Sequence, residues 1–137
     1  ERLGNCSRVV SFRRRSMAKR IIIPARGEIY LVKFDPSFGS EIKKTRPALV
    51  IQNNMGNKYS SVTIVAAITS VVPDKIYLTN VIIKKSESGL KIDSVVLLSQ
   101  IKTIDKQRLI KKIGILNKSL MAKVNRALEI SLGLMEI

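Results

Sequence analysis

The segment FGSEIKKTRPALVIQNN, residues 38–54, gathers Ser40, Glu41, Lys43, Lys44, Thr45 and Arg46 into one connection that runs through Pro47 into an apolar strand. A solubilising turn needs only polarity. A hydroxyl, a carboxylate and several cations together are what a phosphate-handling site uses. Which phosphate chemistry fits can be narrowed by elimination. The chain has no His, and its single Cys6 can form neither an intramolecular disulfide nor a Cys/His pair. No G-x-x-x-x-G-K-[ST] loop is present, so nucleotide hydrolysis of that kind is disfavoured. The ten acidic residues are scattered, and none forms the close cluster a two-metal nuclease needs. No metal and no cofactor is expected.

One phosphate reaction survives these absences. RNA carries its own nucleophile, the 2′-hydroxyl, beside each phosphodiester. A protein then has to align it, stabilise charge at phosphorus and help the 5′-oxygen leave. A guanidinium matches phosphate oxygens with its fork, which makes Arg46 the first candidate, with Ser40 and Glu41 on the same loop. By position alone, an Arg at a strand start is as ordinary as it is reactive. Thr69, ending VTIVAAIT, also fits a plain strand Thr.

The elements that must position these residues are mostly strands. GEIYLVKF alternates Ile29, Leu31 and Lys33 against Tyr30, Val32 and Phe34, which predicts a strand wet on part of one face. PALVIQ and VTIVAAIT are short and dense in β-branched residues, so they read as central strands. TNVIIKK follows a loop marked by Pro73. SESG is turn chemistry, with Gly89 free to take positive φ. DSVVLLSQIKTI is long enough to bend around a barrel corner, and Asp105–Leu109 predicts one helical turn. The period then changes. NKSLMAKVNRALEISLGLM puts Leu120, Met121, Val124, Leu128, Leu132 and Met135 on one helical face, with Asn117 as N-cap. The expected fold is mainly β, a small antiparallel β-barrel with a C-terminal helix packed on it.

Charge says more about partners than about fold. The 137 residues hold 25 Lys+Arg against 10 Asp+Glu, a net charge of +15. Residues 1–20 read as a basic, disordered tail, and residues 21–137, still +9 without it, as a single domain. A basic domain favours a polyanionic partner. Apolar runs such as Val62–Ile68 are too short for a membrane span, and with no secretory segment the cytoplasm is the expected location.

From Arg26 to Ile137 the chain resembles the MazF/PemK family of toxin endoribonucleases. The residues that carry the likeness are RGEIYLVKFDP, GSEIKKTRPALVIQNN, VAAIT and SVVLLSQIKTIDKQRL, in that order, followed by ALEISLGL. The resemblance implies an SH3-like barrel, a homodimer, and single-stranded mRNA held in a groove at the dimer interface. It also implies metal-independent, sequence-specific cleavage that leaves a 2′,3′-cyclic phosphate and a 5′-hydroxyl. Carried over residue by residue, it assigns the scissile phosphate to Arg46 and Thr69, with Ser40 and Glu41 in supporting roles. Because Arg stays protonated, Arg46 suits charge stabilisation and proton donation, while Glu41 is the candidate base. Single-stranded RNA is read by base edges and stacking. Arg26, Phe38, Lys44, Asn57 and Gln100 are the candidate groove residues, although Phe38 fits a core or dimer contact equally well. A toxin of this family implies a cognate antitoxin with an acidic, partly apolar C-terminal segment. Two other functions stay open: a CcdB-like gyrase poison, which shares the barrel, and a non-catalytic RNA-binding module.

Overall fold

The structure is a computed structural model that describes residues 21–34 and 45–136. The basic tail, Phe38, Ser40, Glu41 and Lys44 lie outside the described residues. The elements run β1 (Glu28–Lys33), β2 (Thr45–Val50), α1 (Asn54–Tyr59), β3 (Val62–Thr69), β4 (Asn80–Ile83), α2 (Lys85–Ser88), β5 (Ser94–Asp105), a 3-10 turn (Lys106–Arg108), β6 (Leu109–Ile115) and α3 (Lys118–Ser131). Six strands form one antiparallel sheet in the order β4-β5-β3-β2-β1-β6. The mainly-β fold and the C-terminal helix agree with the sequence pattern. The sheet itself is not closed: among the described residues β4 and β6 are its edges.

Alternation along the strands gives the sheet two apolar faces. Ile29, Leu49, Ile51, Ala66, Ile68, Val96 and Leu98 point to one face, where α3 covers them with Leu120, Val124 and Ala127. Tyr30, Val32, Ala48, Val50 and Val65 point to the other. Ile104, near the end of β5, and Leu109, at the start of β6, meet in this second core. The β5–β6 connection thereby curls the sheet around that face. Each fully buried Val, Leu or Ile here contributes about 1.5–3 kcal/mol, so both faces are needed for stability.

α3 shows both how far its sequence pattern holds and where it stops. Asn117 caps it, its side-chain oxygen accepting from the Leu120 amide at 2.8 Å. At the other end Gly133 takes φ +74°, Gly133 N donates to Ile130 O, and Leu134 N donates to Glu129 O at 2.8 Å. This Schellman ending stops the helix before Leu132 and Met135 can join its buried face. Leu132 is therefore exposed, and Ala127 takes the inward place the periodicity did not assign to it. α1 was not predicted by the hydrophobic pattern. It is one short polar helix, capped by Asn53 accepting from the Gly56 amide at 2.8 Å.

Candidate active site

The second face of the sheet opens into a groove of about 520 Å³ between the start of β2 and the end of β3. The opening follows from local structure. The β2–β3 ladder runs from Val50↔Val65 only to Ala48↔Ala67. One residue earlier in β2 stands Pro47, which has no amide hydrogen to give a ladder. Continuing the register two residues past the last pair brings Arg46 opposite Thr69, on the face that carries Ala48 and Ala67. Both residues line the groove. Ala67 keeps the floor low where a larger β-branched residue would fill it.

The far wall comes from a distortion of β5. Ala66 pairs with Ile101 but Ala67 pairs with Leu97, so residues 98–100 are extra to the ladder. Such a bulge re-aims side chains and bends the strand. Gln100, Ile101 and Lys102 consequently face the groove. Lys102 Nζ sits 5.4 Å from the ring centroid of Phe34, which lines the groove from the end of β1. Neither Phe34 nor Lys102 stood out in the sequence. The signal for Lys102 was its place in QIKTI beside Gln100, which becomes informative only once the bulge is known.

The polar groups of the groove suit an anion. Arg46 and Lys102 supply positive charge, Gln100 an amide and Thr69 a hydroxyl, and no described lining residue is acidic. The Thr69 hydroxyl oxygen accepts from the Val71 amide at 3.2 Å, which leaves its own hydrogen to donate. Arg46 is exposed at the rim, so its guanidinium fork is accessible to a ligand. Among the described residues no group of three His, Cys, Asp or Glu could hold a metal ion.

Two residues expected near RNA serve the fold elsewhere. Asn57 is fully buried and does not line the groove. Its oxygen accepts from Thr63 Oγ1 at 2.7 Å and from Gln52 Nε2 at 3.0 Å, while its Nδ2 donates to the Gln52 carbonyl at 3.0 Å. No base edge can reach it. Arg26 donates through Nε to the Ile51 carbonyl and through Nη2 to Asn125 Oδ1, each at 2.8 Å. Its backbone amide donates to Asn54 Oδ1 at 2.7 Å, so Arg26 ties β2, α1 and α3 together. Gln100 does line the groove, from the bulge within β5.

The described groups with shifted protonation also lie away from the groove. Burial pushes the Tyr30 hydroxyl up to about 12, reinforced by the hydrogen bond it donates to Glu28 Oε1 at 3.0 Å and by that negative charge. For Glu28 burial alone would raise the carboxyl. Hydrogen bonds from the Ala25 amide (2.8 Å), Lys112 and Tyr30 outweigh it and hold the group below its ordinary value. This cluster fastens the start of β1 to β6 through the Lys112–Glu28 ion pair at 3.0 Å.

Residues 25–132 match the sequence profile of the PemK-like, MazF-like toxins of type II toxin–antitoxin systems. The chain belongs to this family. Endoribonuclease EndoA of Bacillus subtilis is 47% identical over 115 residues, 84% of this chain and 99% of that protein. Endoribonuclease MazF of Staphylococcus epidermidis is 49% identical over 109 residues, 80% of this chain and 91% of that one. Among solved structures, a mycobacterial endoribonuclease in complex with its cognate antitoxin superposes with a TM-score of 0.69 at 26% identity, covering 83% of this chain and 99% of that one. MazF from Deinococcus radiodurans gives 0.66 at 25%, covering 82% and 98%. The open sheet with its capping helix is thus the fold of MazF toxins. No described helix of this MazF-family chain is long and apolar enough to cross a membrane.

Proposed function

We propose that this MazF-family toxin is a cytoplasmic, metal-independent endoribonuclease that cuts single-stranded mRNA at specific sequences. The observation that carries the reading is the juxtaposition of Arg46 and Thr69 across the opened end of the β2–β3 pair. In the reaction the 2′-oxygen bonds to the adjacent phosphorus and the bond from phosphorus to the 5′-oxygen breaks. The departing oxygen takes a proton, leaving a 2′,3′-cyclic phosphate and a 5′-hydroxyl. In this reading Arg46 neutralises charge on the phosphoryl oxygens as it builds up and protonates the leaving oxygen. Thr69 donates to a phosphoryl oxygen, and Glu41 takes the proton of the 2′-hydroxyl, with Ser40 beside it. Gln100 reads a base edge, while Phe38 stacks and Lys44 holds phosphate on the same loop. The active form is a homodimer whose groove spans both copies. Its restraint is an antitoxin segment that is acidic and partly apolar, consistent with the antitoxin complex among the solved relatives.

The deciding experiment uses an RNA whose single 2′-hydroxyl next to the cut site is replaced by hydrogen, incubated with protein in EDTA. The unmodified strand should be cleaved and the substituted strand bound but left intact. Cleavage of the substituted strand at the usual position would refute 2′-hydroxyl attack. Arg46→Ala should abolish cutting and leave the fold unchanged, and Arg46→Lys should be nearly as poor, because an ammonium lacks the planar fork. Intact, retarded RNA with the wild-type protein would instead indicate a binding module. Neither cleavage nor retardation would point to a protein target such as gyrase.

A further inference from the structure

The Phe34 ring adjoins both cations that line the groove among the described residues. Val32 pairs with Arg46 across β1 and β2, and Phe34 follows two residues later on the same face. Same-face diagonal neighbours of this kind lie about 7–8 Å apart. From the opposite wall, Lys102 Nζ comes to 5.4 Å from the ring centroid. Phe34 is half-buried and packs against the second core, so its ring is a fixed surface. Lys102 is exposed, and its long stem would otherwise sample many rotamers. The contact with the ring narrows that choice and aims the ammonium along the groove. No described lining residue is acidic. Two cations in one cleft repel each other, and an anionic strand that meets both relieves the repulsion.

We propose that Lys102, steered by Phe34, binds the phosphodiester next to the scissile one and sets how firmly the substrate strand is held. This rests on the endoribonuclease reading, which gives the scissile phosphate to Arg46 and Thr69. The ring that anchors Lys102 is offset from Arg46 by about 7–8 Å, more than the roughly 3.4 Å that a stacked strand advances per nucleotide. A strand with its scissile phosphate on Arg46 therefore brings a different phosphate to the ammonium. An ammonium is a point charge with three donors and asks only for an anionic oxygen, so it holds backbone without reading a base. Phe34 is a positioning residue that acts through Lys102. A contact to a phosphate that does not react is equal in the ground and transition states, so its loss raises KM and spares kcat.

The test is steady-state cleavage by the full chain, in EDTA, of an RNA oligonucleotide with one mapped cut site. Copies of it carry a single uncharged methylphosphonate in place of one phosphodiester, moved along the strand. Lys102→Met should raise KM about tenfold, the loss expected for a hydrogen bond to a charged group, at unchanged kcat. Lys102→Gln repeats the test should the first variant fold poorly. Lys102→Arg should keep the wild-type KM, because a guanidinium keeps the charge and also stacks on the ring. A methylphosphonate beside the scissile position should raise KM for wild type and add nothing in Lys102→Met. Phe34→Leu should raise KM about two- to fivefold, and should have no effect in the Lys102→Met background, which loss of packing alone would not produce. An unchanged KM in Lys102→Met would overturn the proposal. So would a loss confined to kcat, which would put the ammonium at the reacting phosphate, or equal effects of Phe34→Leu in both backgrounds. A wild-type protein that cuts no RNA would sink the endoribonuclease reading and this proposal with it, whereas normal cutting beside an indifferent Lys102→Met overturns this proposal alone.

Discussion

Asn57→Ala separates a structural amide from an RNA-reading one. The side chain is fully buried between Gln52 and Thr63, whose hydroxyl is also fully buried. Removing it strands two groups. The Thr63 hydroxyl loses its bond to Asn57 at 2.7 Å, and the Gln52 carbonyl loses the bond it accepts at 3.0 Å. Gln52 Nε2 keeps one partner, the Val62 carbonyl at 3.0 Å. Leaving a buried polar group unpaired costs about 1–3 kcal/mol, so the pair gives about 2–6 kcal/mol. Against a total stability of about 5–15 kcal/mol this is severe. With a urea slope of about 1–3 kcal/mol per molar, the midpoint should fall by about 2 M at unchanged slope. Thr63→Val in the Asn57→Ala background should recover part of the loss, because it removes one stranded hydroxyl. RNA affinity, measured at a temperature where the variant is folded, should equal that of wild type. A variant of normal stability with impaired RNA binding would refute this assignment and return Asn57 to the groove.

Acid should unfold the protein partly through Glu28. Its folded pKa lies below the ordinary 4.5, so its contribution is present above that value and is lost as pH falls through the lower, folded one. Thermal midpoints of Glu28→Gln between neutral pH and strong acid should lack that part of the decline; an identical acid slope would rule the cluster out. In alkali the sign reverses. Tyr30 stays protonated to about 12 in the fold, so stability should drop as pH rises above the ordinary 10, and Tyr30→Phe should remove an ionisation near 12 seen by absorbance. Gly114→Ala would set a methyl group 2.1 Å from the Ser88 carbonyl oxygen, so it should cost about 1–3 kcal/mol in denaturant melts. RNA affinity should fall steeply with salt, by roughly 0.7 log units per log unit of salt for each phosphate neutralised. Deleting residues 1–20 should lower affinity and leave the cut sites unchanged, which mapping of the product ends would check.

Much of the fold was legible because it rests on local periodicity. The alternation in GEIYLVKF placed Ile29 against Tyr30 and Val32 on opposite faces, and both faces proved buried. Asn117 declared its cap, and Gly89 took the positive φ, 81°, that its turn required. The chemistry was legible in types: Arg46, Thr69 and Gln100 were singled out from residue chemistry and family resemblance, and all three line one groove. What the sequence could not supply depends on contacts between residues distant along the chain. Asn57 looks like an exposed polar residue until Thr63 and Gln52 close over it. Arg26 looks like a free cation until Ile51 and Asn125 accept its hydrogens. Lys102 joins the site because its pairing with Val65, on the far side of three extra residues in β5, sets it on the groove face, where its ammonium meets the Phe34 ring. Side-chain period is a property of one strand and can be read along it. Register, bulges and hydrogen-bond partners belong to pairs of strands, and only the folded sheet decides them.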